Sequence, residues 1–185
     1  MRKSNWNGSK KEKDQKKVKR NITRSKKSIQ LDSSFRGNFV NKALSNFDLF
    51  DWVKKLDIKH FRDIYSRKDL PKKIKKECGI INLDDIQGPG THWVCYRNGE
   101  SGFYEYFDPF GLIMPNEVLE YFRTGFGKRI VYSIDEIQNR STVLCGYWCL
   151  YYLFEQQKGK SILDVIHNPH FDNDNSDFIK SYFGE

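Results

Sequence analysis

Thirteen consecutive residues, Leu144 to Gln156, carry a single charge (Glu155), no proline and only one glycine. The run is too long for an ordinary strand and reads as a helix. Its apolar side chains fall on every face, so the helix has to be a buried element. It begins behind a polar stretch, Gln138 to Thr142. No run in the chain reaches the roughly 18 apolar residues of a membrane-spanning helix.

At 185 residues, one domain with one sizeable core is expected. The hydrophobic share of 38% is low for such a domain while the aromatic share of 15% is high. An aromatic body diluted by a polar extension accounts for both, and charge locates the extension. Residues 1–30 hold twelve Lys/Arg against Glu12 and Asp14, a net +10; with +8 overall, residues 31–185 come to about −2. The first thirty residues bury too little to offset the entropy of ordering, and a disordered basic arm is expected there. It serves as a solubilising arm, an import signal or a non-specific contact to DNA phosphates. Residues 31–185 form the folded domain in this reading. The N-terminus lacks the apolar stretch of a secretory signal, so the expectation is an intracellular protein, of nucleus or virion, with thiols rather than disulfides at Cys78, Cys95, Cys145 and Cys149. A monomer is expected.

Helical spacing runs through Leu49, Trp52, Val53 and Leu56, with Asn46 or Asp48 as the cap. Phe61, Ile64 and Tyr65 extend the helical theme over residues 58–65 until Leu70-Pro71 stops it. Strand signals follow at residues 78–83, 91–96 and 102–107, the last two joined by a hairpin around Asn98-Gly99. A helix over residues 115–122, a strand over 128–133, the buried helix and one or two short terminal helices complete an α+β order.

Three elements of this layout carry chemistry. Cys145 opens the buried helix, near the positive end of its dipole, where a thiolate is favoured. Gly146 follows and leaves no side chain to crowd a substrate carbonyl. His92 starts one hairpin strand and Asp108 ends the other, which places them on one edge of the sheet, where a carboxylate can orient an imidazole. Gln138, seven residues before Cys145, offers a side-chain amide for an oxyanion. Singly, each has an ordinary reading: a core cysteine, a strand histidine, a turn aspartate, a loop glutamine. A zinc set of Cys145, Cys149, His167 and His170 has faintly suitable spacing but sits badly with a buried helix. No metal or cofactor is expected.

The ordered string His92-Trp93, Asp108, Gln138, Cys145-Gly146 resembles the adenovirus-protease and SUMO-protease superfamily of cysteine peptidases. Asp69-Leu70-Pro71, the segments at residues 77–84 and 90–94, Tyr106-Phe107-Asp108-Pro109-Phe110-Gly111 and Cys145-Gly146-Tyr147-Trp148-Cys149-Leu150 resemble more closely the proteases of Polinton/Maverick and adintovirus-type elements. The resemblance spans about residues 45–155. It departs from the adenovirus pattern in having Asp in place of Glu and Pro109 in place of the usual Ser. It implies a papain-like cysteine protease fold, with a central mixed sheet packed on the nucleophile helix. It further implies Cys145 as nucleophile, His92 as base, Asp108 as its orienter, Gln138 as oxyanion donor, and Trp93 packed beside the histidine. Polypeptide substrates cut after glycine-rich sequences, as in maturation of viral precursors, are the expected targets. Removal of a ubiquitin-like modifier, and an inactive DNA-associated protein, are the rival readings.

Overall fold

The computed structural model describes residues 42–84, 92–99, 103–124, 129–169, 171 and 175–184. These all belong to one unit, Asn38–Glu185. The basic arm expected at residues 1–30 and the turn at 87–90 lie outside the described residues.

Five strands form one mixed sheet in sequence order: β1 (Phe61–Ser66), β2 (Glu77–Asn82), β3 (Trp93–Asn98), β4 (Phe103–Phe107) and β5 (Arg129–Tyr132). The central strand β3 is antiparallel to both its neighbours, β2 and β4, while β1 and β5 add to the edges in parallel. The expected hairpin is β3–β4, in register from Asn98↔Tyr104 to Cys95↔Phe107.

Helices cover both faces. On one, α2 (Asn116–Arg123) lays Val118, Tyr121 and Phe122 onto Val94, Tyr96, Tyr104 and Tyr106. On the other lies α3 (Cys145–Gln157), and Phe107 stacks on Tyr152 with ring centroids 4.3 Å apart. Its outer side is covered by α1 (Asn46–Lys55), α4 (Ile162–Ile166) and α5 (Ser176–Phe183). Trp148 and Tyr151 meet Phe178, and Tyr147 meets Trp52 and Phe183, in two edge-on, one tilted and one stacked ring pair. Such pairs add about 0.5–1.5 kcal/mol each beyond their area. Every residue from Cys145 to Gln156 is buried, which is why this helix tolerates no polar face. The high aromatic content is the material of that cover.

Two local expectations are corrected. The cap of α1 is Ser45: its hydroxyl accepts from the Asp48 N–H, and the Asp48 carboxylate accepts from the Ser45 N–H, a reciprocal box. Residues 61–66 are strand β1, not a second helix. Asp57 and His60 adopt positive φ (49° and 59°) and stop helical continuation. In β1, the three-residue step from Phe61 to Ile64 matches only two residues of β2, from Cys78 to Ile80. The extra residue is a bulge, so Phe61 and Ile64 stand as i and i+2 in the ladder while reading as i and i+3 in sequence.

Candidate active site

The site forms where the β3–β4 edge meets the start of α3. The ladder ends at Cys95↔Phe107, which brings His92, one residue before β3, alongside Asp108, one residue after β4. His92 Nε2 and Asp108 Oδ1 are 2.7 Å apart, and Asp108 is fully buried.

The motif Asp108-Pro109-Phe110-Gly111 is a turn built to hold this carboxylate. The Gly111 N–H donates to the Asp108 carbonyl (3.0 Å) and the Phe110 N–H to Asp108 Oδ1 (2.8 Å). Pro109 presets the backbone for the second turn position. Gly111 has φ +62°, and a Cβ there would lie 2.5 Å from the Ile134 carbonyl oxygen. A Gly111→Ala variant should therefore lose about 2–3 kcal/mol, from left-handed backbone plus the clash; urea unfolding read by tryptophan fluorescence checks this.

Phe110 stacks on the His92 imidazole, centroids 4.4 Å apart and planes within 15°. It limits water at the ring and fixes its plane. The sequence reading missed it, although its place inside the Asp-Pro-Phe-Gly turn beside the candidate carboxylate was a usable signal. Trp93, expected beside the histidine, donates its indole N–H to the Leu44 carbonyl (3.0 Å).

Cys145 is the first residue of α3 and 7% exposed. The Trp93 backbone N–H donates to its Sγ at 3.5 Å, which ties the nucleophile candidate to the residue after His92. His92 Nδ1, the nitrogen not used by Asp108, is buried and outside hydrogen-bond geometry with any group among the described residues. Cys145 is nonetheless close enough to act on the ring. Burial is the strongest single influence and pushes the His92 pKa down. The hydrogen bond to Asp108, then the neighbouring Cys145 sulfur and the charges of both, outweigh it and raise the value to about 9. A charged imidazole between a carboxylate and a sulfur is the resting arrangement of a thiol hydrolase.

The other three thiols are of a different kind. Burial raises Cys78 to about 12 and lifts Cys95 and Cys149 as well. Cys149 Sγ donates to the Trp93 carbonyl at 3.4 Å, as a core thiol does. His167 lies near Asp135 (3.5 Å) on the surface, away from Cys149 in the core; His170 is outside the described residues. Among the described residues, no three His, Cys, Asp or Glu side chains group as metal ligands.

Gln138 is buried, and both it and Ile137 donate their backbone N–H to the Pro109 carbonyl at 3.0 Å. The loop before α3 is thus fastened to the Asp108 turn. The Gln138 Nε2 amide donates to the Thr142 carbonyl and hydroxyl, both at 3.1 Å, while its Oε1 has no partner among the described residues. His92, Asp108 and Cys145 are brought together; Gln138 is placed in the loop below them with its amide on Thr142. Gly146 serves packing: a Cβ there would lie 3.2 Å from Leu44 and Leu49 side chains.

No family model and no curated protein matches the chain. Among solved structures, the fold is shared with a crystal structure of the ASFV pS273R protease, at TM-score 0.58 and 15% identity, over 91% of this chain and 79% of that one. A selenomethionine crystal structure of the same protease gives TM-score 0.57 and 14% identity, over 79% and 69%. The α+β protease fold is therefore established for this chain.

Proposed function

We propose that the chain is a cysteine endopeptidase of viral type. The observation that carries this reading is the His92–Asp108 bond of 2.7 Å on one side and the Trp93 N–H on Cys145 Sγ on the other, at the start of a buried helix. Its fold-sharing with a viral protease supports it.

The residues divide the chemistry as follows. The Cys145 thiolate attacks the scissile carbonyl, and the negative charge that develops on oxygen is met by backbone N–H groups at the start of α3. Gln138 is the second donor in this reading, once its amide turns from Thr142. The His92 imidazolium hands its proton to the leaving amine, which departs and leaves a thioester on Cys145. Neutral His92 then takes a proton from water, whose oxygen attacks the thioester; the acid product leaves, and thiolate and imidazolium are restored. Asp108 holds the ring through both half-reactions.

The finer reading is cleavage after glycine-rich sequences in structural precursors of a DNA virus or virus-like transposon of the Polinton or adintovirus kind. The arm of residues 1–30 then serves as a non-specific DNA tether. The test is a peptide series presented to the full chain. A Gly-Gly-X peptide should be cut after the second glycine at least tenfold faster than its Ala-Ala counterpart. Equal rates would remove the glycine preference. Release of a folded ubiquitin-like modifier from lysine, with no cut in the linear peptide, would favour the isopeptidase.

A further inference from the structure

Trp93 makes three bonds that together join the two halves of the site. Its backbone N–H meets Cys145 Sγ (3.5 Å), its carbonyl accepts from Cys149 Sγ one turn along α3 (3.4 Å), and its indole N–H donates to the Leu44 carbonyl (3.0 Å). Leu44 is 4% exposed and directly precedes the Ser45 cap of α1. Its side chain closes on α3 at Gly146, where an added Cβ would be 3.2 Å from Leu44 Cβ and Cδ1. Leu44 thus touches the residue after His92 with its carbonyl and the residue after Cys145 with its side chain.

We propose that Leu44 is a positioning residue for the nucleophile: by clamping Trp93 to the first turn of α3, it holds the Trp93 amide against the Cys145 sulfur. The inference rests on the reading of Cys145 as nucleophile. A backbone N–H aimed at sulfur favours its charged form. At 3.5 Å that bond is long, so a small slip of either element removes it. Two substitutions open the clamp from opposite sides. Leu44→Ala removes the side chain under Gly146 and keeps the carbonyl. Trp93→Phe removes the indole donor and keeps an aromatic ring and the amide.

The experiment is alkylation of the full chain by iodoacetamide across pH 5–10, with the rate at Cys145 read by peptide mass spectrometry. In both variants, Cys145 labelling at pH 7 should slow about fivefold, the size of one lost hydrogen bond, and the profile should move to higher pH. The double variant should slow little more than either single one, because both open one clamp. Phe47→Ala, three residues after Leu44 in the first turn of α1 and 83% exposed, should match wild type. The proposal is overturned if both variants melt earlier yet label Cys145 at the wild-type rate and pH, or if their effects multiply. Should Leu44→Ala fail to fold, Trp93→Phe decides alone, and a wild-type profile there overturns the clamp. A separate failure is recognisable: if wild-type Cys145 labels no faster at pH 7 than a free thiol peptide, the nucleophile assignment falls, and the clamp with it.

Discussion

Cys145→Ala should abolish peptide cleavage, by roughly 10⁶-fold as for loss of a triad nucleophile, while the protein stays folded. The sulfur is one small buried atom at a helix start, so its removal opens little cavity, and a loss of about 1 kcal/mol is expected. Circular dichroism and a thermal melt check the fold; a Gly-Gly peptide assay checks the rate. In wild type, a Gly-Gly electrophile should label Cys145 alone. Cys78, Cys95 and Cys149 are held as protonated thiols by burial. Label on Cys149 or Cys95, with loss of activity, would move the nucleophile and overturn the site.

The second large effect is on the base. His92→Ala removes both the proton donor to the leaving amine and the cation beside the sulfur, and should slow turnover about 10⁴-fold. Asp108→Asn should do less damage. Asp108 Oδ1 accepts from both His92 and the Phe110 N–H, and an amide oxygen in that place can accept both. What the amide cannot supply is charge, and its NH₂ falls where buried Oδ2 has no partner among the described residues.

The sign of the pH effect follows. His92 is raised from 6.5 to about 9, so its cation favours the folded state fully below pH 6.5. That contribution is lost as pH rises through about 9, and activity should fall on the same limb. Asp108→Asn deletes the largest upward push and leaves that of Cys145, while burial still pushes down. The alkaline limb should therefore move to lower pH, in both kcat/KM and the pH dependence of Tm. An unmoved limb would mean that Asp108 acts by orientation alone. A loss as large as that of His92→Ala would mean that its charge dominates.

The sequence by itself determined the parts of this protein whose physics is local or one-dimensional. A thirteen-residue apolar run has to be an enveloped helix, and Cys145 necessarily stands at its start. A hairpin around Asn98-Gly99 returns Asp108 to the same edge of the sheet as His92, because its two strands run side by side, although the register that sets their contact is not in the sequence. Tertiary structure decided the rest. The spacing of Phe61, Ile64 and Tyr65 suits a helix equally well, and only the pairing with β2, with its bulge, makes it a strand. The place of Gly146 is dictated by Leu44 and Leu49, about a hundred residues earlier. The stacking of Phe110 on His92, the hold of Leu44 on Trp93 and the resting place of the Gln138 amide on Thr142 depend on how loops lie against a finished core. A linear pattern records which side chains are apolar and how often they recur; it does not record which distant partner fills the space beside them.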